Sequence, residues 1–364
     1  MLESKEIIKS AKKSDIVFSH LLKMGHEQVV FFNDSDTDLK AIIAIHNTVL
    51  GPSLGGCRMW NYKNDVDALN DVLRLSRGMS LKASISGLNL GGGKAVIMGD
   101  SSKDKTEDLL KKFGEFINGL NGRYITAEDV GMTTKDMDIV STQTKHVTGI
   151  SKEKGGSGDP SPVTAFGVYM GMKAAAKFKW GNDSLKGKKI VVQGVGKVGE
   201  TLVSYLVKEQ ADIFVNDINE INLLKVIKEH GVESVESKDI QLAQADIYAP
   251  CALGASLDSE FISSCNYSII AGAANNQLEN EQIHAKMLLE RNIVYAPDFL
   301  INAGGLINVY SELNSFTRDE VYKKTEDIYN ITLKILSEAQ KRGVTPNLAA
   351  LEIANKRLQS KIIL

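Results

Sequence analysis

The chain has 364 residues, 43% hydrophobic and 24% charged, a globular composition long enough for about two domains. Its formal net charge of -2 argues against a nucleic-acid or acidic-membrane partner. Three scattered cysteines, Cys57, Cys251 and Cys265, exclude a disulfide framework, and neither they nor the six histidines have metal-ligand spacing, so no metal site is expected.

No apolar run reaches the roughly 18 residues of a membrane span. The segment MLESKEIIKSAKKSD carries charges throughout rather than the apolar core of a secretory signal, so a cytoplasmic location is expected. QVVFF (28–32) and AIIAIHNTV (41–49) read as strands, short and rich in β-branched or aromatic residues. DVDALNDVLRLSRGMS (65–80) reads as a helix capped by Asn64 or Asp65, with Val66, Leu69, Val72 and Met79 along one face. KAVIMG (94–99) is strand-like and KTEDLLKKFGEFINGL (105–120) helical. The glycines and prolines of ISKEKGGSGDPSP (150–162) mark a hinge or boundary, and a helix starts at Ser161 and Pro162. From 188 onward, KIVVQG, ADIFVND, ADIYAP, SIIAGAA and NIVYAPD are near-continuous apolar strands separated by helices, the pattern of a parallel sheet covered on both faces. The stretch from about 317 is helical, RGVTPN breaks it near 343, and a final helix follows. The expected division is an N-terminal α/β domain over residues 1–150 and a Rossmann-like doubly wound domain over 151–335. A helical segment over 336–364 completes the chain, with a return to the first domain as one option.

Lys82 and Lys94 stand twelve positions apart in RGMSLKASISGLNLGGGKAVI, separated by a segment almost without charge that ends in three glycines. Glycines permit close backbone approach, and two ammonium groups brought together, or buried, lose protons more readily, so one can serve as a base. The alternative is a glycine turn with a surface lysine. The same segment is not a phosphate-binding P-loop, because Leu88 stands at the first glycine position and Ala95 at the hydroxyl position. Asp129 is either a carboxylate facing those lysines or a helix N-cap before MTTKDMDIV. In GPSLGGCRMW (51–60), Gly55 and Gly56 either present carbonyls to a ligand amine or form a simple turn. Asn275, Asn276 and Asn302 end apolar strands, where open parallel sheets bind ligands, and are ligand contacts or loop residues.

KKIVVQGVGKVGETLVSYL holds G-x-G-x-x-G at Gly194, Gly196 and Gly199, after an apolar strand and at the start of a helix. The loop Val195, Lys197 and Val198 completes a dinucleotide fingerprint, and Asp217 ends the next strand. Gly194 makes the tight turn, Gly196 admits the pyrophosphate and Gly199 allows close packing. The negative Asp217 with no arginine at Ile218 or Asn219 favours NAD over NADP.

HEQVVFF, AIIAIH, GPSLGGCRMW, LRLSRGM, GLNLGGGK, LNGRYITAEDVG, GVGKVG, FVNDIN, YAPCALG, AGAANNQL and YAPDFLINAGGLINV run across nearly the whole chain. With them it resembles the amino-acid dehydrogenases of the glutamate, leucine, phenylalanine and valine type, and is most similar to the leucine-specific branch. The resemblance implies that Lys82, helped by Asn276, holds the substrate carboxylate. Lys94 would be the base that activates water, Asp129 would shuttle the amine proton, and Gly55 would touch the amine through its backbone. Thr164 would touch the nicotinamide end, and Ile218 and Asn302 are expected among the cofactor-binding residues. Leu54 stands where glutamate enzymes have lysine, and Ala127 where phenylalanine enzymes have glycine, so Leu54, Ala127, Leu306 and Val309 would line an apolar side-chain pocket. Leu306 departs from the valine usual in leucine enzymes, which tightens the pocket toward short branched chains. Cys57 and Ser53 are further departures. The implied enzyme is an NAD-dependent branched-chain amino-acid dehydrogenase that acts in a cleft between its domains and assembles as a homo-oligomer, dimer or octamer. The competing implications are an aromatic amino-acid dehydrogenase and a non-catalytic NAD-binding sensor.

Overall fold

The computed structural model describes residues 16–252 and 254–360, so the N-terminal segment weighed above as a signal lies outside the described residues. The chain divides into two units, one of residues 1–158 with 355–364 and one of residues 159–354.

The first unit opens with α1 (Ile16–Met24), followed by β1 (Gln28–Asp34) and β2 (Leu39–Asn47). Then come β3 (Ser53–Leu54), β4 (Cys57–Trp60), α2 (Asp65–Ile85) and β5 (Gly91–Met98). It continues with α3 (Glu107–Gly119), β6 (Tyr124–Ile125) and α4 (Thr134–Val140). The sheet order is β1-β2-β5-β3-β6, with β4 also paired to β5. β2 runs antiparallel to both β1 and β5, whereas β3 and β4 are parallel to β5. Helices cover both faces. Ala68, Leu69, Val72 and Leu73 of α2 pack on Ile42, Ala44 and Val96, while Phe113, Ile117, Met137 and Val140 pack on Ile43, Ile45 and Ile97. Two-sided burial explains why β2 is almost uniformly apolar.

Asn64 caps α2 by accepting from the Asp67 amide, and Asp65 and Asp67 sit in its first turn, where the helix dipole favours anions. The buried stripe runs through Leu69 and Val72, but Val66, expected on that face, is 41% exposed. The helix also runs to Ile85, beyond the expected end, until Gly87 turns the chain at φ +69. Lys82 therefore belongs to its last turn.

The second unit begins with α5 (Ser161–Trp180), β7 (Lys189–Gln193), α6 (Lys197–Lys208), β8 (Asp212–Asn216), α7 (Glu220–His230) and β9 (Glu233–Ser234). It continues through β10 (Ile247–Pro250), α8 (Ser259–Ser264), β11 (Ile269–Ile270), α9 (Glu281–Glu290) and β12 (Val294–Tyr295). It ends with α10 (Asp298–Ile301), α11 (Gly304–Asn314), α12 (Arg318–Arg342) and α13 (Pro346–Ser360). Its strands are parallel, in the order β12-β11-β10-β7-β8-β9. The order reverses direction between β7 and β10, so the loop after β7 lies at the topological switch point of a doubly wound sheet.

The end of α13 groups with the first unit. There Arg357 donates to the carbonyls of Ser84 and Leu88 at 3.2 and 2.7 Å and to Asn89 Oδ1 at 3.0 Å, at the C-terminal end of α2.

Candidate active site

Three successive glycines start β5, and each sits where a side chain would collide. A Cβ on Gly91 would lie 1.9 Å from the Asn47 carbonyl oxygen. On Gly92 it would lie 2.1 Å from the Ser80 nitrogen, and on Gly93 2.6 Å from the Tyr124 ring. The glycines thus draw β2, α2 and Tyr124 of β6 onto one stretch of strand. Lys94 follows at once and is buried. Ser80, against Gly92, lies two residues before the half-buried Lys82.

The charge in contact with Lys94 is a carboxylate: its Nζ is 2.9 Å from Asp129 Oδ2. Asp129 is not a helix cap. The N-cap of α4 is Thr133, which forms a capping box with Asp136. Asp129 Oδ2 also accepts from Arg58 Nε at 3.1 Å. Burial pushes the Asp129 carboxyl up, but Lys94 and Arg58 outweigh it and hold the group below the usual carboxylate range. Arg58 reaches back through Nη1 to Asp71 Oδ2 at 2.9 Å, and the same oxygen accepts from the Tyr62 hydroxyl at 2.7 Å. Arg74 closes the row, with Nη2 3.0 Å from Asp71 Oδ1.

Sequence reasoning missed Arg58. The available signal was a basic residue inside a short strand, CRMW, whose alternate residues Cys57 and Met59 face the core. Cys57 is fully buried, and that burial raises its thiol pKa far above the ordinary value, so it is a packing residue. Ser53 donates its hydroxyl to the Arg123 carbonyl at 2.6 Å.

Gly55 has no room for a side chain, because a Cβ would stand 1.7 Å from the Gly93 carbonyl oxygen. Its own carbonyl accepts from the buried Tyr124 hydroxyl at 2.6 Å, which fixes its direction and leaves the second lone pair. Leu54 is 2% exposed and Ala127 7% exposed. β3 carries Leu54 beside β6, and Ala127 follows β6, its carbonyl taking the Cys57 amide at 2.8 Å.

In the second unit, Gly194 turns at φ +93, and a Cβ there would lie 2.7 Å from the Ala252 nitrogen. Gly199 brings α6 so close that its Cβ would be 1.9 Å from the Gly194 oxygen. Gly196, the N-cap of α6, differs: nothing lies within 4 Å of where its Cβ would be. Open space over the amides of a helix N-terminus suits a diphosphate. Val195 is buried, Val198 half-buried, and Lys197 exposed with Nζ 3.2 Å from Asp159. Asp217 accepts from the Val195 amide and the Asn219 amide, both at 2.7 Å, so the carboxylate is anchored to the fingerprint loop. Ile218 beside it is 97% exposed.

Thr164 lies on α5, where its hydroxyl donates to the Pro160 carbonyl at 3.0 Å. Asn302 does not end a strand; it is the C-cap of α10. Its Nδ2 donates to the Ala273 carbonyl and to Asn275 Oδ1, while its buried Oδ1 has no partner among the described residues. Asn276 is exposed in the loop after β11, at φ +52. Leu306 and Val309 sit one turn apart on α11, the first buried and the second half-buried.

Two other features lie away from these residues. A cavity of about 420 Å³ is lined by Lys189, Asp212, His230 and Glu233, and so lies at the first residues of β7 and β8, opposite the ligand-binding end of an open parallel sheet. Glu200, Glu229 and His230 have ligand atoms within 4.8 Å of one another, but Lys225 Nζ, 2.6 Å from Glu200, already supplies a cation.

A family model described as the dimerisation domain of Glu/Leu/Phe/Val dehydrogenases matches residues 26–146, and one described as Glutamate/Leucine/Phenylalanine/Valine dehydrogenase matches 207–363. Leucine dehydrogenase of Bacillus subtilis (strain 168) is 51% identical over 94% of this chain and 94% of its own. Valine dehydrogenase of Streptomyces virginiae is 47% identical over 92% of this chain and 94% of its own. The crystal structure of L-tryptophan dehydrogenase from Nostoc punctiforme superposes with a TM-score of 0.85 at 44% identity, covering 95% of this chain and 100% of that one.

Proposed function

The chain belongs to the glutamate/leucine/phenylalanine/valine dehydrogenase family of amino-acid dehydrogenases, and from that premise we propose that it catalyses NAD-dependent, reversible oxidative deamination of branched-chain L-amino acids. The products are the 2-oxo acid, ammonium and NADH. The observation that carries this reading is the buried contact of Lys94 with Asp129.

Lys82 takes the substrate carboxylate. Asp129 accepts a proton from the substrate amine, which leaves a nitrogen lone pair to form the C=N bond as hydride departs from Cα. Gly194, Gly196, Gly199 and Asp217, with Thr164 and Asn302, would hold NAD, which would supply the hydride acceptor. Lys94, as the neutral amine, takes a proton from water as the oxygen bonds to Cα. Asp129 returns its proton to the nitrogen, the C–N bond breaks, and the hydroxyl proton passes from the new carbonyl to the released ammonia, giving ammonium, while Lys94 gives its proton to solvent. Asp217 selects NAD because its anchored negative charge repels a 2′-phosphate.

Substrate choice follows from Leu54 and Ala127. Leu54 offers no cation for a side-chain carboxylate, and burying one unpaired is costly. Ala127 narrows the space for a ring, which disfavours aromatic substrates. Cytoplasmic work as a homo-oligomer, dimer or octamer, fits this family. The test is a panel of amino acids assayed by NADH formation. Leucine, valine and isoleucine should react, with phenylalanine and tryptophan poor. A preference for an aromatic substrate would remove the branched-chain assignment, and NAD binding without turnover of any amino acid would make the chain a sensor.

A further inference from the structure

Asp129 has two carboxylate oxygens with different surroundings. Oδ2 takes both cations, Lys94 Nζ at 2.9 Å and Arg58 Nε at 3.1 Å. Oδ1 takes no hydrogen bond among the described residues, although the side chain is 24% exposed and so within reach of a ligand. A carboxylate gripped by one cation can rotate and exchange oxygens. One gripped from two directions on the same oxygen cannot do so without breaking a charge-assisted bond. Arg58 is itself fixed from behind by Asp71, which is fixed by Tyr62 and Arg74.

We infer that Arg58 is a positioning residue: with Lys94 it pins Oδ2 of Asp129 and thereby presents Oδ1 to the substrate amine. The inference rests on the deamination reading above. Arg58 also separates two protonation events. When Lys94 takes its turn as a neutral amine, Arg58 leaves a permanent cation at Oδ2, so the proton that Asp129 holds for the departing nitrogen sits on Oδ1. Lysine at position 58 lacks the fork that binds Asp129 and Asp71 together. The other titratable groups near Asp129 are Cys57 of β4, Tyr62, and Tyr124 of β6, all of them held neutral because burial, with a smaller push from the Asp129 charge, raises their pKa values.

The sign of the pH effect is fixed by the Asp129 shift. Its folded pKa is depressed, so the ionised form persists toward acid, and loss of Arg58 moves that boundary upward in pH. Arg58→Gln should therefore raise the midpoint of Asp129 titration, read by carbon NMR of labelled aspartate with Asp129→Asn for assignment. It should also move the acid limb of kcat/KM in the same direction, and lower kcat roughly 10- to 100-fold with little change in KM, the mark of lost orientation. Arg58→Lys should restore the titration midpoint but only part of kcat. Asp71→Asn, which removes the rear anchor and keeps Arg58, should give a smaller loss of the same kind. NADH fluorescence titration and thermal melting check that each variant is folded. If Arg58→Gln does not fold, the Lys and Asn variants decide: unchanged kcat in both overturns the inference. An unmoved Asp129 midpoint in folded Arg58→Gln overturns it as well. The titration stands apart from turnover, so absence of deamination in the unmodified chain would sink the functional reading while the NMR result still judges Arg58.

Discussion

Two segments of this chain read almost alike, GGGK at 91–94 and GVGK at 194–197, and they do opposite things. In the first, every glycine is filled by the protein's own backbone or side chains, and the lysine that follows is buried against a carboxylate. In the second, Gly194 and Gly199 serve packing, but Gly196 faces open space, and its lysine has a side chain 77% exposed. Glycine followed by lysine therefore carries no fixed meaning. What decides is whether the volume the glycine vacates is taken by the fold or left for a ligand.

The widest separation between the segments should come from their lysines. Lys94→Ala should lower kcat by about 10²–10⁴-fold, the usual worth of a general base, while NADH still binds. Lys197→Ala should leave kcat within a few-fold in the same assay. Near-normal turnover by the Lys94 variant would erase the distinction.

The glycines give the next contrast. Gly92→Ala drives a Cβ against backbone at Ser80 and should cost the first unit at least about 1–3 kcal/mol, seen as a lower melting temperature. Gly196→Ala meets nothing in the protein and should shift melting by no more than about 0.5 kcal/mol while weakening NADH binding. Equal melting losses in the two variants would show that the open space is not real.

Asp217 sharpens the picture of the second segment. Asp217→Ser should narrow the preference for NAD over NADP in kcat/KM, and comparable values for both cofactors in the unmodified enzyme would contradict its role. The smallest effect is expected at the side-chain pocket. Ala127→Gly should raise relative kcat/KM for phenylalanine by an amount worth about 1–3 kcal/mol, because small apolar volumes discriminate weakly.

The fingerprint was legible because its parts are local: strand, glycines and helix all lie between Lys189 and Lys208, and Asp217 follows the next strand. The parallel sheet was legible for the same reason, since near-continuous apolar strands advertise burial on both faces. Arg58 was not legible, because its meaning depends on Asp71 and on Asp129, 13 and 71 positions away, which only the packing of α2 and the β3–β6 region brings near. The glycines before Lys94 pointed to close approach, but nothing local said that the visitors are Asn47, Ser80 and Tyr124 rather than a ligand. Val66 failed as a core residue because the stripe of α2 begins a turn later.

The contact of Arg357 with the end of α2 bears on how the chain comes together. The helix that holds Lys82 has one of its last carbonyls, that of Ser84, bound by a guanidinium 273 positions further on. The entropy of closing so long a loop rises only slowly with length, but the closure is late in any vectorial process, and the whole second unit lies between the two partners. During synthesis the first unit can assemble its sheet well before this latch arrives. Substrate-side residues are then supported last, so partially made chains would hold a nearly finished fold without a finished carboxylate grip.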